Sequence, residues 1–157
     1  AKMEKMLVRG VTKDADASRI SITGLNDVPG VAFKIFASLA AKNINVDIIL
    51  QSVGRNDTKD ITFTTTKSHL NDTLEVLGNL DLVSSLEILT DTDVAKVSVV
   101  GAGMESHPGI AAKMFEALFE ADINIQMIAT SEIKISVLID RDKAERAVQV
   151  IHDAFDF

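Results

Sequence analysis

The sequence has no cysteine, no tryptophan and no tyrosine, and only two prolines and seven phenylalanines in 157 residues. Without cysteine there is no disulfide framework, no thiolate metal site and no cysteine nucleophile. The absence fits a reducing compartment, and a cytoplasmic location is expected. Basic residues are outnumbered: 16 Lys and Arg stand against 23 Asp and Glu, a formal charge of −7, and the pI is about 4.9. That balance argues against nucleic acid, whose binding rests on cations that neutralise phosphates. No apolar run reaches the ~18 residues of a membrane span and the N-terminus shows no signal-peptide core, so no membrane partner is expected. What is plentiful is apolar side chain, 46% of the total. At this length a chain can bury roughly 70% of its unfolded surface.

The sequence repeats itself. Residues 29–52 read PGVAFKIFASLAAKNINVDIILQS and residues 108–131 read PGIAAKMFEALFEADINIQMIATS; ten of the 24 positions are identical. Upstream, with a two-residue slip, Ile20-Ser21-Ile22-Thr23-Gly24 matches Val97-Ser98-Val99-Val100-Gly101. The chain therefore reads as two copies of a unit of roughly 75 residues.

Periodicity gives each unit its elements. Ile20–Thr23 is β-rich. Ala32, Ile35, Phe36 and Leu39 share one helical face. A strand is expected over Asn45–Ser52, a loop over Val53–Lys59 and a strand over Ile61–Thr66. A helix follows through Leu70, Leu74 and Leu77, then a last strand over Val83–Leu89. The order β-α-β-β-α-β predicts an α+β, ferredoxin-like fold with both helices on one face of an antiparallel sheet. The second copy repeats it through Val97–Val100, Ala111–Glu120, Asn124–Ala129 and Ile133–Ile139. It ends on a helix from about Lys143 to Ala154, with no final strand. A β-like segment, Met6–Val11, precedes the first copy and is expected to supply that strand. The first domain (14–92) would then be inserted in the second (1–13 plus 93–157).

The turn Gly24-Leu25-Asn26-Asp27-Val28-Pro29-Gly30-Val31-Ala32 is the candidate site. Pro29 signals a helix start. The N–H groups of Gly30, Val31 and Ala32 would be free there, at the positive end of the helix dipole, and suit an anion. Asp27 beside them suits an ammonium. Together they suit a free α-amino acid, although an acid before a helix is also an ordinary N-cap. In the second copy Ser106 replaces Asp27. Polar residues in or beside the following strand are further candidates: Asn45, Asp47 and Gln51 in one copy, Asn124 and Gln126 in the other. Gly101-Ala102-Gly103 opens like a dinucleotide loop, but the third glycine is replaced by Ser106. His69, His107 and His152 have no metal-ligand spacing. No catalytic centre, cofactor or metal is expected.

NDVPG at 26–30, a helix and then NINVDIILQS at 43–52 resemble the ACT domain, a small-molecule-binding module. LVRGVTKDADASRISITGLNDVPG at 7–30, DITFT at 60–64, VGAGMESHPGIAAKMFEAL at 100–118 and INIQMIATSEIKISVLI at 123–139 resemble the regulatory region of bacterial aspartate kinases. The resemblance spans nearly the whole chain. It implies a regulatory role in feedback inhibition of aspartate phosphorylation, in the lysine, threonine and methionine pathway. The kinase domain of such enzymes precedes the ACT pair and has no room here. Both a separate small β subunit and a C-terminal half stay open. The implied partners are threonine or lysine as effector, a second copy forming a homodimer through ACT domains, and a kinase-bearing subunit or domain. The implied site has Asp27 on the ligand ammonium and Asn26 beside it. Gly30, Val31 and Ala32 present backbone groups, and Gln51 adds a polar contact. Asn124, Ile125 and Gln126, with Ile110, come from the partner's second copy. A free-standing amino-acid sensor or assembly module is the alternative. An RNA-binding module of the same element order is disfavoured, because it needs aromatic strands and a basic face.

Overall fold

The structure is a computed structural model that describes residues 8–156. It contains β1 (Val8–Asn26), α1 (Val31–Ala41), β2 (Val46–Val53), β3 (Thr58–Thr65), α2 (Leu70–Gly78), α3 (Asp81–Ser84) and β4 (Ile88–Gly101). There follow α4 (Pro108–Glu120), β5 (Met127–Thr130), β6 (Lys134–Asp140) and α5 (Ala144–Phe155). The chain divides into two compact units: an inserted unit, Asp16–Thr92, and a flanking unit, Ala1–Ala15 with Asp93–Phe157. β1 and β4 each contribute to both units; the strand order is β2-β3-β1-β4 in the inserted unit and β1-β4-β6-β5 in the flanking unit. The fold is thus two ferredoxin-like units, the first inserted in the second. Among the described residues, no helix is long and apolar enough to cross a membrane.

In the inserted unit the register Ile20↔Phe63↔Ile49 and Ile22↔Ile61↔Gln51 sets rows across three strands. Residues directly opposite share a face, and Ile20, Ile22, Ile61 and Phe63 are all fully buried. Onto them pack Val31, Ile35 and Leu39 of α1, spaced four apart, and Leu77 of α2. The Phe36 ring meets Phe63 edge-on, with centroids 5.4 Å apart. In the flanking unit Val97 and Val99 of β4 oppose Val137 and Ile135 of β6. They form a core with Met114 and Leu118 of α4, Ile151 and Phe155 of α5, and Val8 of β1.

The repeated helix ends have one cause. Asn43 is left-handed at φ 57° and Asp122 at φ 59°. Ile44 N–H then donates to Leu39 O and Ile123 N–H to Leu118 O, at 3.1 and 2.9 Å. This is the Schellman closure, with its apolar residue just beyond the turn. Asn and Asp tolerate the left-handed conformation best after glycine.

Some elements differ from the sequence reading. Val8 to Asn26 forms one strand, where two separate β segments were expected; Met6 and Leu7 lie outside the described residues. β3 begins at Thr58, not Ile61, because Arg55 to Asp57 close a tight hairpin with Asn56 and Asp57 at positive φ. The expected strand from Val83 is instead the single-turn helix α3. Its N–H groups at Val83 and Ser84 reach Leu80 O, and Val83 is a fully buried core residue. A short apolar run does not by itself separate strand from helix. The last strand of the unit starts at Ile88 and continues through the division into the second copy.

Candidate functional site

β1 ends at Asn26, and the chain turns through Asp27, Val28 and Pro29 into α1. Gly30 is the N-cap residue at φ 91°, ψ −12°, and no side chain caps the helix. Pro29 therefore lies before the helix rather than in its first turn. Only the Lys34 N–H, one turn on, reaches back to the Gly30 carbonyl, at 3.0 Å. The donors of the first turn, at Val31 and Ala32, cannot bond within the helix. Leu25, Asn26, Val28, Pro29, Val31 and Lys34 border a hollow of about 210 Å³ beside this helix start. Val31 itself is buried, so it can offer a ligand only backbone.

Asp27 is held by its own backbone: its N–H donates to Asp57 O at 2.8 Å, on the β2–β3 hairpin. Its carboxylate is not vacant. Lys59 Nζ lies 3.7 Å from Asp27 Oδ1, with the Lys59 side chain 9% exposed and that of Asp27 43%. Lys59 was missed in the sequence because residues 53–59 read as a loop. The signal was there: Lys59, Ile61 and Phe63 alternate, which places Lys59 on the core-facing side of β3. Its partners in register are Leu25 and Val53.

Gln51 is exposed on β2, opposite Ile61 and one row from Lys59. It therefore lies on the face that α1 covers, towards the Asp27 end. β2 is the outer strand of this unit and exposes Ile49, Leu50 and Val53.

The remaining candidates belong to the flanking unit. Asn124, Ile125 and Gln126 precede β5 rather than lying in it. Gln126 N–H donates to Leu138 O at 2.8 Å, and its side-chain amide donates to Asp140 Oδ1 at 2.7 Å. Asn124 is exposed and Ile125 half-buried. Ile110 is 1% exposed and packs in the core, so its side chain is not offered to a ligand. The second copy's loop is also closed. Residues 104–106 form a 3-10 turn after Gly103 at φ 67°, and His107 Nδ1 lies 2.8 Å from Gly103 O. The helix starts directly at Pro108, and the Ile110 N–H is taken by His107 O at 3.0 Å. The open helix start is thus a property of the first copy. Among the described residues, no group of three or more His, Asp or Glu could hold a metal ion.

A family model for the ACT domain matches residues 20–79 and 97–155. The chain is 45% identical over 155 residues to an aspartate kinase of Stutzerimonas stutzeri, covering 98% of this chain and 38% of that protein. Two solved structures superpose with TM-scores of 0.86. One is the ligand-free regulatory subunit of aspartate kinase from Thermus thermophilus, at 41% identity, covering 94% of this chain and 99% of that one. The other is in a structure of aspartokinase α and β subunits, at 46% identity, covering 96% and 99%. A ferredoxin-like unit repeated twice defines the class, and the chain belongs to the ACT-domain family, among the regulatory regions of aspartate kinases. It spans 38% of the length of that curated relative, and the kinase domain is not among its 157 residues.

Proposed function

We propose that this chain binds an end-product amino acid, threonine or lysine, and transmits it as feedback inhibition to a kinase-bearing aspartate kinase subunit or domain. The observation that carries the reading is coverage: the chain matches 99% of a regulatory subunit and 99% of a chain in an α/β aspartokinase structure. The two units act as ACT domains of residues 14–92 and of 1–13 plus 93–157. Asp27 takes the ligand ammonium, with Asn26 beside it. The backbone groups of Gly30, Val31 and Ala32 take the carboxylate, and Gln51 adds a polar contact. Asn124, Ile125 and Gln126 of a second copy close the site. The outer position of β2 and its exposed Ile49, Leu50 and Val53 support such a homodimer, since an unpaired strand edge invites a partner.

The mechanism is linkage. The effector must bind the inhibited arrangement more tightly than the active one. A 10- to 100-fold change in activity needs only ~1.4 to 2.7 kcal/mol of coupling. The test is to assay aspartate phosphorylation by a kinase-bearing subunit with and without this chain. Inhibition by threonine or lysine should require the chain and be lost with Asp27→Ala. Inhibition that ignores the chain would remove the reading.

A further inference from the structure

Lys59 is a cation only 7% exposed, and its ammonium faces the carboxylate of a half-exposed Asp27 at 3.7 Å. A buried ammonium is costly unless an acid meets it. Asp27 is that acid, and a second ammonium arriving at its carboxylate meets the repulsion of the first. The repeat adds an independent observation. Lys59 lies two residues before Ile61, which opposes Ile22; in the flanking unit the same place, two before Ile135 opposite Val99, is Ile133. Asp27 has Ser106 as its counterpart. Both members of the pair are missing together from the copy whose loop is closed by His107.

We propose that Lys59 is a resident ammonium for Asp27, and that effector binding exchanges one ammonium for another. The inference rests on the reading of Asp27 as the ammonium receptor. It makes Lys59 an affinity- and specificity-determining residue. A bare amine regains at Asp27 only what it displaces. An α-amino acid also brings a carboxylate to the open start of α1, and that second contact drives the exchange. The site is thereby tuned to zwitterions and set to a weaker affinity than its donors alone would give.

The test is calorimetric titration of threonine, and separately of lysine, into the wild-type chain, Lys59→Met and Lys59→Arg, with circular dichroism melts to establish folding. Lys59→Met should bind about two- to fivefold more tightly, the scale of an ion pair with a half-exposed partner. Lys59→Arg, which keeps the competing cation, should bind no more tightly than wild type. Unchanged or weaker binding by folded Lys59→Met overturns the exchange while the effector reading stands on the wild-type titration. Binding of neither amino acid by wild type or by Lys59→Met overturns both. If Lys59→Met does not fold, Lys59→Gln carries the same test.

Discussion

Gly30 and Gly109 occupy the same place in the repeat, yet alanine should act in opposite directions at the two. Gly30 sits at φ 91°, and a Cβ built there meets nothing within 4 Å. Its cost is therefore conformational. A left-handed L-residue costs roughly 1–2 kcal/mol, offset by the ~0.4–1 kcal/mol gained from a stiffer unfolded chain. Gly30→Ala should destabilise by about 1 kcal/mol, which lowers Tm by about 2–4 °C for a chain of this size. Gly109 lies in the first turn of α4, and its added Cβ is equally unobstructed. There alanine should stabilise by about 0.4–1 kcal/mol, raising Tm by about 1–3 °C. Parallel calorimetric melts of the two variants and the wild type decide it. Shifts of the same sign would refute the claim that the first copy alone holds a left-handed residue at its helix start.

Two further outcomes follow from named contacts. Asp27→Ala should weaken the affinity for threonine or lysine by less than the ~1.5–3 kcal/mol of a full bond to a charged group, because Lys59 already meets that carboxylate; equal Kd values by calorimetry would take Asp27 out of the ammonium role. Ser98 and Ser136 oppose each other, buried, with Oγ atoms 2.7 Å apart. Ser98→Ala should cost about 1–3 kcal/mol by stranding the Ser136 hydroxyl, whereas the double change to alanine should recover most of that. A double variant as unstable as the sum of the single ones would show that the hydroxyls do not act as a pair.

The repeat made most of the fold legible. The spacing of Ile35, Phe36 and Leu39 marked α1. What failed was local and short. Val83 sits in an apolar run whose length suits strand or helix, and only its packing into the core decides for a helical turn. The strand continuing from Ile88 into Gly101 was hidden because Thr90, Asp91, Thr92 and Asp93 interrupt the apolar pattern between Leu89 and Val97. Of the candidate site, the placing of Asp27 and Gly30 at the start of α1 was readable from residue types. Lys59 was not, because treating Asn56 and Asp57 as part of a long loop broke the alternation that places it beside Asp27. Ile110 aligned with Val31, and both pack in their cores; the difference is in the backbone, where the Ile110 N–H is taken by His107 O.

Effector binding by this chain is read from its thermal unfolding against each of the twenty amino acids, from micromolar to millimolar. A ligand that binds only the folded form stabilises it by about 2.7 kcal/mol at a hundredfold excess over Kd. Tm should rise with the concentration of threonine or lysine and of no other amino acid, and Asp27→Ala should move that rise to higher concentration. A melting temperature indifferent to both, or an equal rise with the Asp27→Ala chain, would contradict effector binding at Asp27.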